Sequence, residues 1–259
     1  RYVNFNPEQA FEQSADVVVL ALPNNLAVHW ASVFDAKQSN ALLIDLSADY
    51  RFDSNWFYGL PELTRSAYQG QRRISNPGCY ATAMQLAIAP MREYLAGAVQ
   101  CFGVSGYSGA GNSPSDKNDP FKLADNLMPY ALVNHIHERE VARQMSCEIH
   151  FMPHVAAHFR GLSITTNMQL NHKVDIELIK QRYLQAYKNE ALVSVVDVAP
   201  WLKDVINTPN AIVGGFTLSE DGKRLVLVSV LDNLLKGAAS QALQNINLGL
   251  ALPETQGIL

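Results

Sequence analysis

Two apolar runs near the amino end constrain the fold more than any other feature of the sequence. Asp16-Val17-Val18-Val19-Leu20-Ala21-Leu22-Pro23 is short, β-branched and closed by proline, the pattern of a buried parallel strand. Ala41-Leu42-Leu43-Ile44-Asp45-Leu46-Ser47 is a second such run. Between them Leu26, Trp30, Val33 and Phe34 recur at helical spacing, with Asn24 or Asn25 placed to cap. Strand, helix, strand within about 35 residues is a βαβ unit, with a right-handed crossover by default.

After residue 75 the pattern changes. The sequence predicts a helix from Pro77 to Tyr94, a strand over 99–105, a polar loop over 108–130 and a short helix over 138–145. Strands follow over 148–155 and 160–170, then an amphipathic helix over 174–188 that aligns Ile176, Ile179, Tyr183 and Tyr187. A strand over 192–198 precedes a hairpin, 211–218 with 224–231, turning at Asp221-Gly222. A last helix spans 234–252. The fold expected is α/β plus α+β: a partial Rossmann-like domain over 1–75, a catalytic domain with a mostly antiparallel sheet over 76–231, and a C-terminal helix over 232–259 returning to the first.

Composition removes several function classes. With 48% hydrophobic residues in a chain of 259, a sizeable core is available and disorder is excluded. A net charge of -4 leaves no basic excess to collect phosphates along a nucleic acid. The longest apolar run, Val17–Leu22, falls far short of the roughly 20 residues of a membrane span. The three cysteines form no Cys-x-x-Cys pair, which suits a reducing, cytoplasmic setting.

Ser75-Asn76-Pro77-Gly78-Cys79-Tyr80 carries the sharpest chemistry. A capping residue, a proline tolerated in the first turn and an apolar helix place Cys79 at a helix N-terminus. Unpaired N–H groups and the positive end of the dipole stabilise a thiolate there, and the same groups suit a developing oxyanion. Cys101 and Cys147 read as structural. A nucleophile of this kind calls for a proton-handling partner. Pro153-His154 ends a strand just before His158-Phe159-Arg160-Gly161, which sets a histidine and an arginine around one turn. His158 stands next in line to His154. Pro153 breaks the four-residue spacing of His150, His154 and His158, so no metal site is expected. Arg51 follows the second strand, where open α/β sheets bind ligands. The glycines of Gly103–Gly111 mimic a dinucleotide fingerprint, but Asn112-Ser113-Pro114 follows instead of a helix.

Together the segments LIDLSADYRF, YGLPEL, SNPGCYATA, SGYSGAG, FMPHVAAHFRGL and VLDNLLKGAASQALQNIN resemble the N-acetyl-gamma-glutamyl-phosphate reductases of arginine biosynthesis. They span Asp45 to Asn247, most of the chain. The resemblance implies NADPH-dependent reduction of an acyl phosphate to an aldehyde through a thioester on Cys79, with His154 as acid/base. It implies Arg160, Arg51 and Asn76 as ligands of the substrate's carboxylate or phosphate, and Pro23, Ser108, Gly109 and Asn233 near NADP(H). A small-molecule substrate, phosphate and a homo-oligomer follow from the same likeness. The family also opens with a glycine-rich strand–turn–helix that nothing before Asp16 supplies, so roughly 30 to 80 residues are expected to be missing. Asn24, Ala81 and Ser240 replace a histidine, a proline and a glycine usual in the family. Rival readings are an aspartate-semialdehyde dehydrogenase-like enzyme, a cofactor-free cysteine hydrolase and a non-catalytic module.

Overall fold

The computed structural model describes residues 3–259 and divides into two units, Arg1–Gly78 with Gln241–Leu259, and Cys79–Ser240. The expected dividing points were 75/76 and 231/232.

The first unit holds α1 (Pro7–Phe11), β1 (Val17–Leu20), α2 (Ala27–Ala36), β2 (Leu42–Asp45), β3 (Phe57–Tyr58), α3 (Pro61–Thr64) and β4 (Arg73–Ser75). Its four strands are all parallel, in the order β1-β2-β4-β3. β2 is buried on both faces: Leu43 packs with Leu20, Ala31 and Phe34, and Leu42 and Ile44 pack with Ile74, Tyr68 and Ala242. β1 lies at the sheet edge, so Val19 is 41% exposed where full burial was expected. Neither Asn24 nor Asn25 caps α2 with its side chain. The Asp49 carboxylate does so from the loop after β2, accepting from the Asn25 and Ala27 N–H groups at 2.7 and 3.1 Å.

The second unit begins with α4 (Cys79–Ile88) and β5 (Val99–Gly106). It continues with α5 (Pro120–Leu123), β6 (Leu127–Pro129), α6 (Ile136–Met145), β7 (Ile149–Ala156), β8 (Leu162–Gln169) and α7 (Ile176–Ala186). β9 (Val193–Val196), β10 (Ala211–Leu218) and β11 (Arg224–Leu231) complete a seven-stranded sheet, ordered β6-β7-β5-β8-β11-β10-β9. Pairs β5–β7 and β9–β10 are parallel and the other four antiparallel. The helix expected through Tyr94 ends at Ile88, because Pro90 has no N–H to offer Leu86 and the chain tightens into a 3-10 turn over Ala89–Tyr94. Two tyrosines of the α7 segment take up the freed carbonyls. Tyr187 donates to Leu86 at 2.6 Å and Tyr183 to Ala87 at 2.5 Å. The final expected helix is also two pieces, a π-helical turn over Leu235–Ala239 and then α8 (Ser240–Gly249).

Strand alternation sorts the large sheet into two faces. Phe151, Ile164, Leu227 and Val213 point into one core with Met84, Val141 and Ile179, so α4, α6 and α7 all pack on that face. Gly103 lies on the same face under the first turn of α4. A β-carbon there would stand 2.7–2.8 Å from Phe151, Ile164 and Tyr80. Gly103→Ala is therefore expected to overpack the core and cost about 1–3 kcal/mol, read as a lower urea midpoint with an unchanged m-value.

Candidate active site

Cys79 is the first residue of α4 and half-buried. Its thiol stands where the first N–H groups of the helix lack intrahelical partners. The wall beside it is aromatic. The Cys79 charge acts on both Tyr80 and Tyr130, whose hydroxyls are pushed above the ordinary tyrosine range chiefly by burial. The Tyr130 ring lies 5.5 Å from His135, and Tyr80 lies 6.4 Å from His135 and 6.1 Å from His137. The two imidazoles are 4.9 Å apart.

His135 is the N-cap of α6, and its Nδ1 accepts from the His137 backbone N–H at 3.1 Å. That bond leaves Nε2–H as the donor of the neutral ring. Burial first, then the charges of Lys117 and Arg139, push the imidazole down to about 4. His135 is thus a neutral donor at pH 7. The sequence reading missed it, although an Asn-His-Ile-His segment opening a helix was visible.

His154 is not brought to this cluster. Tyr80 donates to its backbone carbonyl at 2.8 Å, but its ring points to the other face of the sheet and lies 4.6 Å from Phe102. Phe151 and Val155 are buried and His154 alternates with them, so the sheet separates its side chain from α4. His158 is occupied by a 3.2 Å contact between Nε2 and the Gly161 carbonyl.

Several residues expected to hold anions are engaged within the fold. Arg160 Nε lies 2.8 Å from Asp232 Oδ2, Nη2 donates to Oδ1 at 3.1 Å, and Nη1 donates to Asn207. In the first unit, Arg51 is 8% exposed and donates to the carbonyls of Asn76 and Leu46 at 2.9 and 3.0 Å. The Asn76 Oδ1 accepts from Asn245 at 2.9 Å, and Tyr68 donates to Asn245 in turn. These three side chains position backbone and loops.

The residues expected near a cofactor do converge within the second unit. Asn233 donates to Ser108 Oγ at 3.0 Å and accepts from the Gly161 N–H at 2.6 Å. A β-carbon on Gly109 would meet Ser105 Oγ at 2.9 Å and Asn233 Nδ2 at 3.5 Å, so glycine keeps a cradle open. An open cleft of about 780 Å³ beside Ser108 is walled by Tyr107, Phe121, Phe159 and Leu234. In the first unit, Pro23 is exposed just beyond the carboxyl end of β1, on the side where parallel sheets receive dinucleotides.

The π-helical turn bears directly on Cys79. Asp232 accepts from the Leu234 and Leu235 N–H groups, and Gly237 and Ala239 each bond five residues back. A β-carbon on Gly237 would stand 2.6 Å from the Cys79 Cβ.

Residues 2–71 match the model described as semialdehyde dehydrogenase, NAD binding domain, and residues 79–233 that described as semialdehyde dehydrogenase, dimerisation domain. The whole chain is 58% identical to the N-acetyl-gamma-glutamyl-phosphate reductase of Xanthomonas campestris pv. campestris, covering 82% of that protein. It is 57% identical to that of Stenotrophomonas maltophilia, covering 81%. Among solved structures it resembles aspartate semialdehyde dehydrogenase from Francisella tularensis (TM-score 0.77, 18% identity, 95% of this chain and 84% of that one). Aspartate semialdehyde dehydrogenase II from Vibrio cholerae complexed with ASA gives a TM-score of 0.76 at 16% identity, over 95% of this chain and 81% of that one.

Two outcomes test this geometry. Gly237→Ala is expected to displace Cys79 and slow its alkylation by iodoacetamide at neutral pH, with the chain still folded. His135 releases its proton near 4 when folded and near 6.5 when unfolded. Between those values the unfolded chain binds the extra proton, so stability falls as pH drops from about 6.5 toward 4. His135→Asn keeps an N-cap acceptor and removes the titration. Its urea midpoint is expected to fall less than the parent's over that interval.

Proposed function

Because the chain belongs to the N-acetyl-gamma-glutamyl-phosphate reductases of the semialdehyde dehydrogenase family, we propose that it reduces N-acetyl-L-glutamyl 5-phosphate to N-acetyl-L-glutamate 5-semialdehyde and phosphate in arginine biosynthesis. The observation that carries the chemistry is Cys79 at the start of α4, linked through Tyr80 and Tyr130 to a neutral, donor-bearing His135.

The Cys79 thiolate, held by the helix N-terminus, attacks the acyl carbonyl. The carbon–sulfur bond forms and the carbon–oxygen bond to phosphate breaks, leaving a thioester and inorganic phosphate. NADPH, when bound, supplies the hydride that reduces the thioester carbonyl. The Gly109 cradle with Ser108 and Asn233, and the exposed Pro23 after β1, are the residues we assign to it. In both steps negative charge builds on the carbonyl oxygen. The first N–H groups of α4 and the His135 Nε2–H are the donors for that charge. A neutral imidazole serves because it donates without surrendering its proton to the thiolate. Collapse of the reduced adduct breaks the carbon–sulfur bond, frees the aldehyde and returns the thiolate. One proton from solvent balances the overall reaction.

The chain works as a homo-oligomer, in keeping with its dimerisation domain. We assign a second copy to the sheet face that α4, α6 and α7 leave open, where Phe102, Met152 and His154 lie. His154 then belongs to assembly and not to proton transfer. Three cysteines that form no disulfide, one of them the nucleophile, suit the reducing cytoplasm.

Turnover is read in reverse, as phosphate-dependent NADP reduction with N-acetylglutamate semialdehyde, with aspartate semialdehyde as control. Only the acetylated substrate is expected to react. Cys79→Ser is expected to abolish turnover. His135→Asn is expected to lower kcat roughly 10²- to 10³-fold, the loss that follows removal of one oxyanion donor. His154→Ala is expected to change kcat less than threefold. A large loss at His154 with none at His135 would return the proton-handling role to His154.

A further inference from the structure

Lys117 sits in the polar loop between β5 and β6, and the chemistry above gives it no part. Its ammonium lies 4.9 Å from the centre of the Tyr130 ring, which is 5.5 Å from His135 and feels the charge of Cys79. It forms no ion pair with any described residue. The neighbouring acids are engaged elsewhere: Asp116 pairs with Lys122, and Asp119 caps α5. The loop that carries Lys117 is knitted firmly. Asn118 Nδ2 donates to the carbonyls of Gly111 and Ser113, both at 2.8 Å, and its Oδ1 accepts from the Ser115 N–H at 2.8 Å. An ammonium held over the Tyr130 ring, with its charge felt at His135, half-buried and without a counter-ion among the described residues, is a site for an anion. Arg160, the cation first expected there, is bound to Asp232.

We propose that Lys117 binds the α-carboxylate of the N-acylated amino-acid substrate and selects it over a substrate with a free α-amine. This rests on the acyl phosphate reductase reading above. A lone, compact ammonium suits a monoanionic carboxylate, whereas a phosphate dianion calls for several donors or a bidentate arginine. Acylation also matters at this position. A free α-amine carries its own positive charge next to the carboxylate, and that charge opposes Lys117. An amide there is neutral.

The reverse reaction separates the two anions of the substrate, because the carboxylate arrives on the semialdehyde and the phosphate arrives free. In the full chain, Lys117→Met is expected to raise KM for N-acetylglutamate semialdehyde roughly tenfold or more. The KM for phosphate and kcat are expected to stay within about threefold. Lys117→Arg is expected to recover most of the loss, which a merely structural role would not allow. N-acetyl-L-glutamate binding to the Cys79→Ser chain, measured by calorimetry, is expected to weaken in parallel. A rise in KM for phosphate alone would make Lys117 a phosphate ligand and overturn the assignment. A fall in kcat alone, with both KM values unchanged, would overturn it as well. If the parent chain turns over no acetylated semialdehyde, the reductase reading fails instead. The calorimetric comparison then still decides whether Lys117 binds an N-acylated amino-acid carboxylate.

Discussion

The geometry around Cys79 depends on one buried carboxylate. Asp232 is fully buried, and its two oxygens face Arg160, the N–H of Asn207 and the N–H groups of Leu234 and Leu235. Both oxygens are paired or hydrogen-bonded, which is the condition under which a buried charge is tolerated. By capping the chain directly after β11, Asp232 starts the turn whose hydrogen bonds skip to five residues. That turn carries Gly237 onto the Cys79 Cβ. The same ion pair fixes Arg160 in the turn after β7, whose carbonyls at His158 and Phe159 accept from the N–H groups of Tyr107 and Ser108. The cradle at Gly109 and the seat of Cys79 thus share one anchor.

The residues that type alone marks for anions have partners within the fold. Arg160 and Arg51 are the arginines a reader would assign to anions, yet each is bonded within the fold. Asn76 is likewise held by Asn245. A guanidinium with five donors is well suited to tying loops together, and the fold uses it so. The ammonium of Lys117 has no counter-ion among the described residues, and its single point charge is better matched to a transient ligand.

Much of the fold was legible in local pattern. β-branched runs, the Asp221-Gly222 turn and the capped start of α4 are decided within a few residues, and each appears within a few positions of where it was expected. What local pattern does not carry is parity and pairing. His154 is adjacent to Pro153 and near Arg160 in sequence, but whether its ring faces α4 depends on which face of the strand that helix covers. Phe151 and Val155 flank it at odd offsets and are buried, so alternation would have placed His154 opposite them. That step required knowing that the core, and not the open face, carries Cys79. His135 was hidden for a different reason. Its link to Cys79 runs through Tyr130 and Tyr80, contacts set by the pairing of β6 with β7. The cap of α2 shows the same limit, since the residue that supplies it lies in a loop 22–24 positions away.

The neutral histidine and the helix N-terminus are complementary parts of one electrostatic design. A thiolate beside an imidazolium would be stabilised strongly, but the pair would also hold its charge against transfer to the carbonyl carbon. Intrinsic nucleophilicity falls as a thiol becomes more acidic. Burial and the nearby cations keep His135 uncharged, so the stabilising of the thiolate falls to backbone dipoles that are fixed in place. The imidazole N–H is then free to follow the charge as it moves from sulfur to oxygen. Lys117 contributes twice in this arrangement. It supplies positive charge for an incoming anion, and its field adds to the burial that keeps the histidine neutral.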